Sequence, residues 1–119
     1  MTEVFKILSR AEWTAAEAAG VFTGSAVDLK DGYIHFSTAA QAADTARLHF
    51  AGQGDLVLLT LDADKLGAAL KWEPSRGGQL FPHLYASLPT PAVKAVRDLP
   101  LNAEGWPEPG LLTTEIQRR

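Results

Sequence analysis

The spacing of apolar side chains divides the chain into short runs, and the period of each run predicts an element. "VFKIL" (Val4 to Leu8) is an apolar-rich run of strand length. Ser9 follows it, three residues before Glu12, which is the spacing of a capping box. The alanine-rich "AEWTAAEAA" then favours a helix, and Gly20 stands where a left-handed terminating residue is needed. "VFTGSAVDLKDG" reads as a loop, with Gly24, Asp31 and Gly32 as turn residues. "YIHFS" (residues 33–37) returns to strand character, because Tyr33, Ile34 and Phe36 suit a pleated surface. Alternation sends His35 and Ser37 to the face opposite Ile34 and Phe36. Thr38 and Gln41 repeat the capping-box spacing and predict a second helix. Ala42, Ala46 and Phe50, with Leu48 nearby, form its apolar stripe, and Gly52 and Gly54 close it.

The second half carries shorter runs. "DLVLLTLD" (Asp55 to Asp62) is almost continuously apolar, as a central strand buried on both faces would be. "ADKLGAAL" suits one short helical turn, "LKWE" a strand stopped by Pro74, and "SRGGQ" a turn. "LFPHLYASL" is a further strand, in which Pro82 implies a bulge, an edge or a strand start. "PAVKAVRDL" reads as the last strand, and the proline-rich tail "PLNAEGWPEPGLL" as irregular chain over the surface. About six strands and two main helices predict an α+β fold on a mixed, mostly antiparallel sheet. No repeat or linker interrupts the chain, so residues 1–119 read as a single domain.

Composition narrows the function classes. The hydrophobic share of 46% supports a real core in 119 residues. The net charge of −3 and basic clusters no larger than the Arg118-Arg119 pair disfavour a nucleic-acid partner. The absence of cysteine excludes disulfides, thiolate metal sites and a thiol nucleophile. The N-terminus does not read as a signal peptide, and no apolar run is long enough for a bilayer, so a soluble cytoplasmic protein without a membrane partner is expected.

The histidines carry the candidate chemistry. His35, His49 and His83 lack the spacing of a helical metal pair, and no metal is expected. His49 falls near a helix C-terminus, where its charge suits the dipole. His35, Ser37 and the helix start at Thr38 can form a site for an anion or ribose. The plainer reading is an imidazole satisfied by a backbone carbonyl. His83 and Tyr85 share a strand face with Phe81 and can hold a polar ligand, or simply hydrogen-bond inside the core. Glu73 is either the acid of a site or an edge charge, and Arg76 either covers a bound anion or faces water. Ser37 or Ser87, His83 and Asp28 or Asp62 supply the residue types of a nucleophilic triad, without a nucleophile elbow. Trp13, Trp72 and Trp106 would matter more if the chain were a protein-interaction domain.

"W…AA..G.F.GS..D..DGYIHFSTA.Q", "LVLLTLD…L….KWE" and "G..FPHLYASLP" together resemble domain-of-unknown-function family 952, over about Val4 to Leu101. Ala86 stands where that family more often has glycine. The family is uncharacterised and is similar to the ADP-ribosyltransferase-like fold class, a split sheet holding NAD in its cleft. The resemblance implies NAD as substrate and a small-molecule nucleotide or anion as partner. It implies His35, His83 and Glu73 as catalytic residues, with Tyr33, Ser37, Thr38, Tyr85 and Arg76 binding the nucleotide. Glu73 precedes "FPHLY", whereas the transferase glutamate usually comes late in that fold. A non-catalytic nucleotide-binding module and a protein-interaction domain are the alternatives.

Overall fold

The computed structural model describes residues 2–110, and the runs read above become the following elements. They are β1 (Glu3–Ser9), α1 (Arg10–Ala19), β2 (Val21–Phe22), α2 (Ala26–Asp31), β3 (Ile34–His35) and α3 (Ala39–Phe50). There follow β4 (Leu56–Asp62), β5 (Leu70–Pro74), β6 (Leu80–Leu84), β7 (Leu88–Pro89) and β8 (Val93–Leu99), with 3₁₀ turns at Ala63–Ala69, Arg76–Gly78 and Thr90–Ala92. Helices start where their caps are written. Ser9 and Glu12 close one capping box, Thr38 and Gln41 another, and Gly20 ends α1 at φ 80°.

Strand β4 lies at the centre of the first sheet, between β1 and β8, and is buried on both faces as its composition predicts. On one face Val4, Leu8, Val57 and Leu59 pack with Trp13 and Ala16 of α1. On the other, Phe5, Ile7, Leu56 and Leu58 pack with Ala42 and Ala46 of α3. Each fully buried leucine here contributes about 1.5–3 kcal/mol. The second sheet has the order β3-β6-β5, and β2 pairs with β7 as a separate ribbon. Phe36 and Ser37 join the two larger sheets: Phe36 donates its N–H to Pro82, while Ser37 and Phe5 exchange both backbone hydrogen bonds. The β-structure is therefore split, with β1 and β6 on either side of this two-residue junction.

Several expectations change. Every strand pairing among the described residues is antiparallel, so the sheet is not mixed. The segment read as a loop contains β2 and α2, and α2 is a third helix, opened by a Ser25–Asp28 capping box. "LFPHLYASL" divides into β6 and β7. Pro82 is neither at an edge nor at a strand start: it lies inside the central strand β6. Its carbonyl faces Phe36, so its missing N–H faces Phe36 too, and β3 stops one residue earlier. This is why "YIHFS" yields only a two-residue strand. Leu48 is 52% exposed and lies off the α3 stripe. The tail is irregular through Gly110, with Pro107 and Pro109 buried and Trp106 against the α3-side core. Leu111, Leu112 and the Arg118-Arg119 pair lie outside the described residues. No helix among the described residues is long and apolar enough to cross a membrane.

Candidate functional site

Register brings the two histidines together. In the β3–β6 ladder His35 lies directly opposite His83, and the rings meet edge to face with centroids 5.6 Å apart. Strand β5 flanks β6 on its other side, placing Lys71 opposite His83 and Glu73 opposite Phe81. The Glu73 carboxylate reaches across so that one oxygen lies 2.8 Å from His83 Nδ1 and accepts from the Tyr85 hydroxyl at 2.8 Å. Tyr33 closes the group. Its ring stacks on His83 at 4.0 Å and stands 4.6 Å from His35 and 5.1 Å from Tyr85. His83 is 3% exposed beneath this cover, while Tyr85 is 46% exposed and the Glu73 side chain 38%.

Helix α2 supplies a second carboxylate system behind His35. Asp28 is 2% exposed, and its oxygens accept from the backbone N–H groups of Ser25 and His35. One oxygen lies 2.6 Å from His35 Nδ1, and the Lys6 ammonium lies 3.1 Å from the other. Lys6 also donates to the His35 carbonyl at 3.0 Å. Burial opposes charge on Asp28, but the His35 hydrogen bond, the Lys6 charge and the two backbone donors outweigh it and hold the carboxyl down to about 2. Burial lowers the Lys6 ammonium, and Asp28 works against that shift. On the outer side of His35, Asp31 Oδ2 lies 2.9 Å from Nε2.

The exposed end of the site is electrostatically biased. Hydrogen bonds from His83 and then Tyr85 lower the Glu73 carboxyl below its usual range. The same bond raises the Tyr85 phenol, so that phenol stays a donor at neutral pH. Tyr33 is raised by burial, then by the charges of Asp31 and Glu73. The outcome is two neutral phenol rings beside ionised carboxylates.

The remaining candidates group elsewhere. The Ser37 hydroxyl is buried and hydrogen-bonded to Thr45 of α3, to which Arg76 also donates. Arg76 stacks over the Phe81 ring at 4.9 Å. The Thr38 side chain accepts from Gln41 as the cap of α3, so its hydroxyl serves the helix. His49 is exposed in the last turn of α3. The triad drawn on Asp28 or Asp62 does not form: Asp28 bonds to His35, Asp62 accepts from the Asp64 N–H, and His83 turns Nδ1 to Glu73. Among the described residues no group of three His, Asp or Glu side chains is arranged to hold a metal ion.

A groove of about 300 Å³ opens beside the tyrosines, lined by Thr23, Asp28, Leu29, Tyr33, Tyr85 and Ala86 among others. A depression of about 310 Å³ near Thr2, Asp64 and Trp72 contains none of the clustered histidines or tyrosines and stands apart from this chemistry. Sequence reading missed Lys6, Asp31 and the central place of Asp28. Ser25 and Asp28 do carry the capping-box spacing, and that signal was available.

Known proteins share this fold. A model of the family "Protein of unknown function (DUF952)" matches residues 7–96. The crystal structure of protein CC0527 from Caulobacter crescentus, a structural-genomics target, is 56% identical, with a TM-score of 0.90 over 92% of this chain and 96% of that one. A solution NMR structure of CC0527 is 57% identical, with a TM-score of 0.82 over 90% of this chain and 92% of that one. No curated protein matches the chain. By the family match and by its identity to CC0527, the chain belongs to the DUF952 family of proteins of unknown function.

Proposed function

We propose that the cluster around Glu73 binds the nicotinamide end of NAD or a related nucleotide and supports ADP-ribosyl transfer, as the resemblance to the ADP-ribosyltransferase-like fold implies. The observation that carries this reading is the half-exposed Glu73 carboxylate, oriented by His83 and Tyr85 beside two tyrosine rings. Aromatic faces attract a cationic ring, and ionised carboxylates complement it. When the C1′–N bond of NAD breaks, nicotinamide leaves with the bonding pair and positive charge moves onto the ribose. A positioned carboxylate lowers the energy of that charge. The acceptor oxygen then bonds to C1′ and gives up its proton to solvent.

Each candidate takes a role in this reading. Tyr33 and Tyr85 face the ring. His83, buried beneath Tyr33, keeps Glu73 ionised and aimed. His35 lines the ribose side. Phe81 precedes His83 by two residues on one strand face, so Arg76 above it offers a cation to the phosphates. Ser37 and Thr38 act from behind that surface: Ser37 holds Thr45, to which Arg76 donates, and Thr38 caps α3.

The test is NAD titration with chromatographic detection of free nicotinamide, run on wild type and Glu73→Gln. Wild type is expected to bind NAD and release nicotinamide slowly, and Glu73→Gln to bind but lose about 100-fold in release. Equal release by both proteins overturns the reading. A non-catalytic binding module is the second reading, favoured by His35, whose two ring nitrogens already have carboxylate partners. A ligand-dependent rise in melting temperature without nicotinamide release would support it.

A further inference from the structure

We infer that the Asp31 carboxylate occupies the position on His35 that an anionic ligand group would take, and so sets the charge of what this site accepts. The inference rests on the proposed function only in treating His35 as a ligand-facing residue.

The geometry leaves His35 one outward nitrogen. Nδ1 is committed to the buried Asp28 at 2.6 Å, a contact backed by Lys6 and the cap of α2. Nε2 meets Asp31 Oδ2 at 2.9 Å. An oxygen arriving from a ligand therefore has to take the place of Asp31. Among the described residues no second hydrogen bond fixes the Asp31 carboxylate as Asp28 is fixed. It is the last residue of α2, its side chain is 37% exposed, and Gly32 turns the chain away behind it at φ 90°. A carboxylate at a helix C-terminus also sits at the unfavourable end of the dipole. An exposed contact of this kind is worth little and exchanges readily.

The consequence is a charge filter. With Asp31 in place, a phosphate approaching His35 meets a like charge directly, with Asp28 behind it. A neutral or cationic ring on Tyr33 and Tyr85 meets no such barrier. Phosphates are thereby directed away from His35, toward the Arg76 side of the sheet.

The experiment is ¹⁵N imidazole NMR on wild type, Asp31→Ala and Asp31→Asn, titrated separately with inorganic pyrophosphate and nicotinamide. Pyrophosphate is expected to shift the His35 Nε2 resonance in Asp31→Ala at concentrations about tenfold lower than in wild type, because a like charge has gone. Asp31→Asn, which keeps the size of the side chain, should fall between them, and the nicotinamide response should stay unchanged. Equal pyrophosphate responses in all three proteins, or none in any, overturn the inference. The proposed function is judged separately by nicotinamide release from NAD in wild type. Release without a pyrophosphate response in Asp31→Ala sinks only the filter. A pyrophosphate response without NAD binding sinks only the proposed function.

Discussion

Tyr33 lies against His83 with ring centroids 4.0 Å apart and planes 25° from parallel. The contact ties the turn after α2 to the central strand of the second sheet. It shuts the His83 imidazole away from solvent, so that His83 acts on Glu73, which itself remains half exposed.

Removing the ring should therefore be felt in stability. Tyr33→Ala is expected to cost about 2 kcal/mol in urea unfolding, from lost stacking and lost burial. Tyr33→Phe, which keeps the ring, should stay within about 0.5 kcal/mol of wild type. Equal stability of Tyr33→Ala and wild type would show that the stack is incidental.

Gly24 should be as sensitive as a site residue, although it touches no candidate ligand. Its φ is 124°, and a Cβ there would lie 3.0 Å from Asp28 Cβ. Gly24→Ala is expected to cost about 1–3 kcal/mol through backbone strain. It should also displace Asp28, seen as a shift of the His35 backbone amide resonance, because that N–H donates to Asp28. An unshifted His35 amide would contradict the coupling.

The parts of the fold legible in sequence were those encoded locally. The Ser9–Glu12 and Thr38–Gln41 boxes lie beside long alanine-rich runs, and the burial of "LVLL" follows from its composition. Helix α2 was hidden because it is six residues long, buries Asp28 rather than an apolar stripe, and exposes Val27 and Leu29. The truncation of "YIHFS" depends on Pro82 in a different strand, which no local period reveals. His35, His83, Tyr33, Tyr85 and Glu73 were each legible as candidates. Their meeting depends on the register of β3, β6 and β5, which is a tertiary property. Ser37 and Thr38 share the right segment, but one is spent on Thr45 and the other on capping α3.

The Lys6–Asp28 pair should respond asymmetrically. Asp28→Ala removes a carboxylate that serves Lys6, His35 and Ser25 and leaves a buried ammonium without its ion-pair partner, so a loss of about 3–5 kcal/mol is expected. Lys6→Met leaves Asp28 its bonds to His35 and Ser25 and should cost less. Unfolding curves of the two single variants check this, and a costlier Lys6→Met would contradict it.

Acid should remove the contribution of Asp28 over a defined window. Its carboxyl is held at about 2 in the folded chain, against about 3.9 when unfolded. On acidification the unfolded chain takes up the proton first, so the contribution is complete above about pH 4 and is lost as pH falls toward about 2. The loss is about 2 kcal/mol. The fall in unfolding free energy between about pH 5 and pH 2 should be correspondingly smaller in Asp28→Asn. An identical acid limb in both proteins would remove Asp28 from the account.

In the proposed reaction Glu73, aimed by His83 and Tyr85, stabilises positive charge developing on a bound nucleotide. Single-turnover release of nicotinamide from NAD, compared between wild type and Glu73→Gln at saturating NAD, isolates that step. Measurable release by wild type is expected, with about 100-fold slower release by Glu73→Gln at saturation. Equal rates in the two proteins, or no release by wild type at saturation, would contradict it.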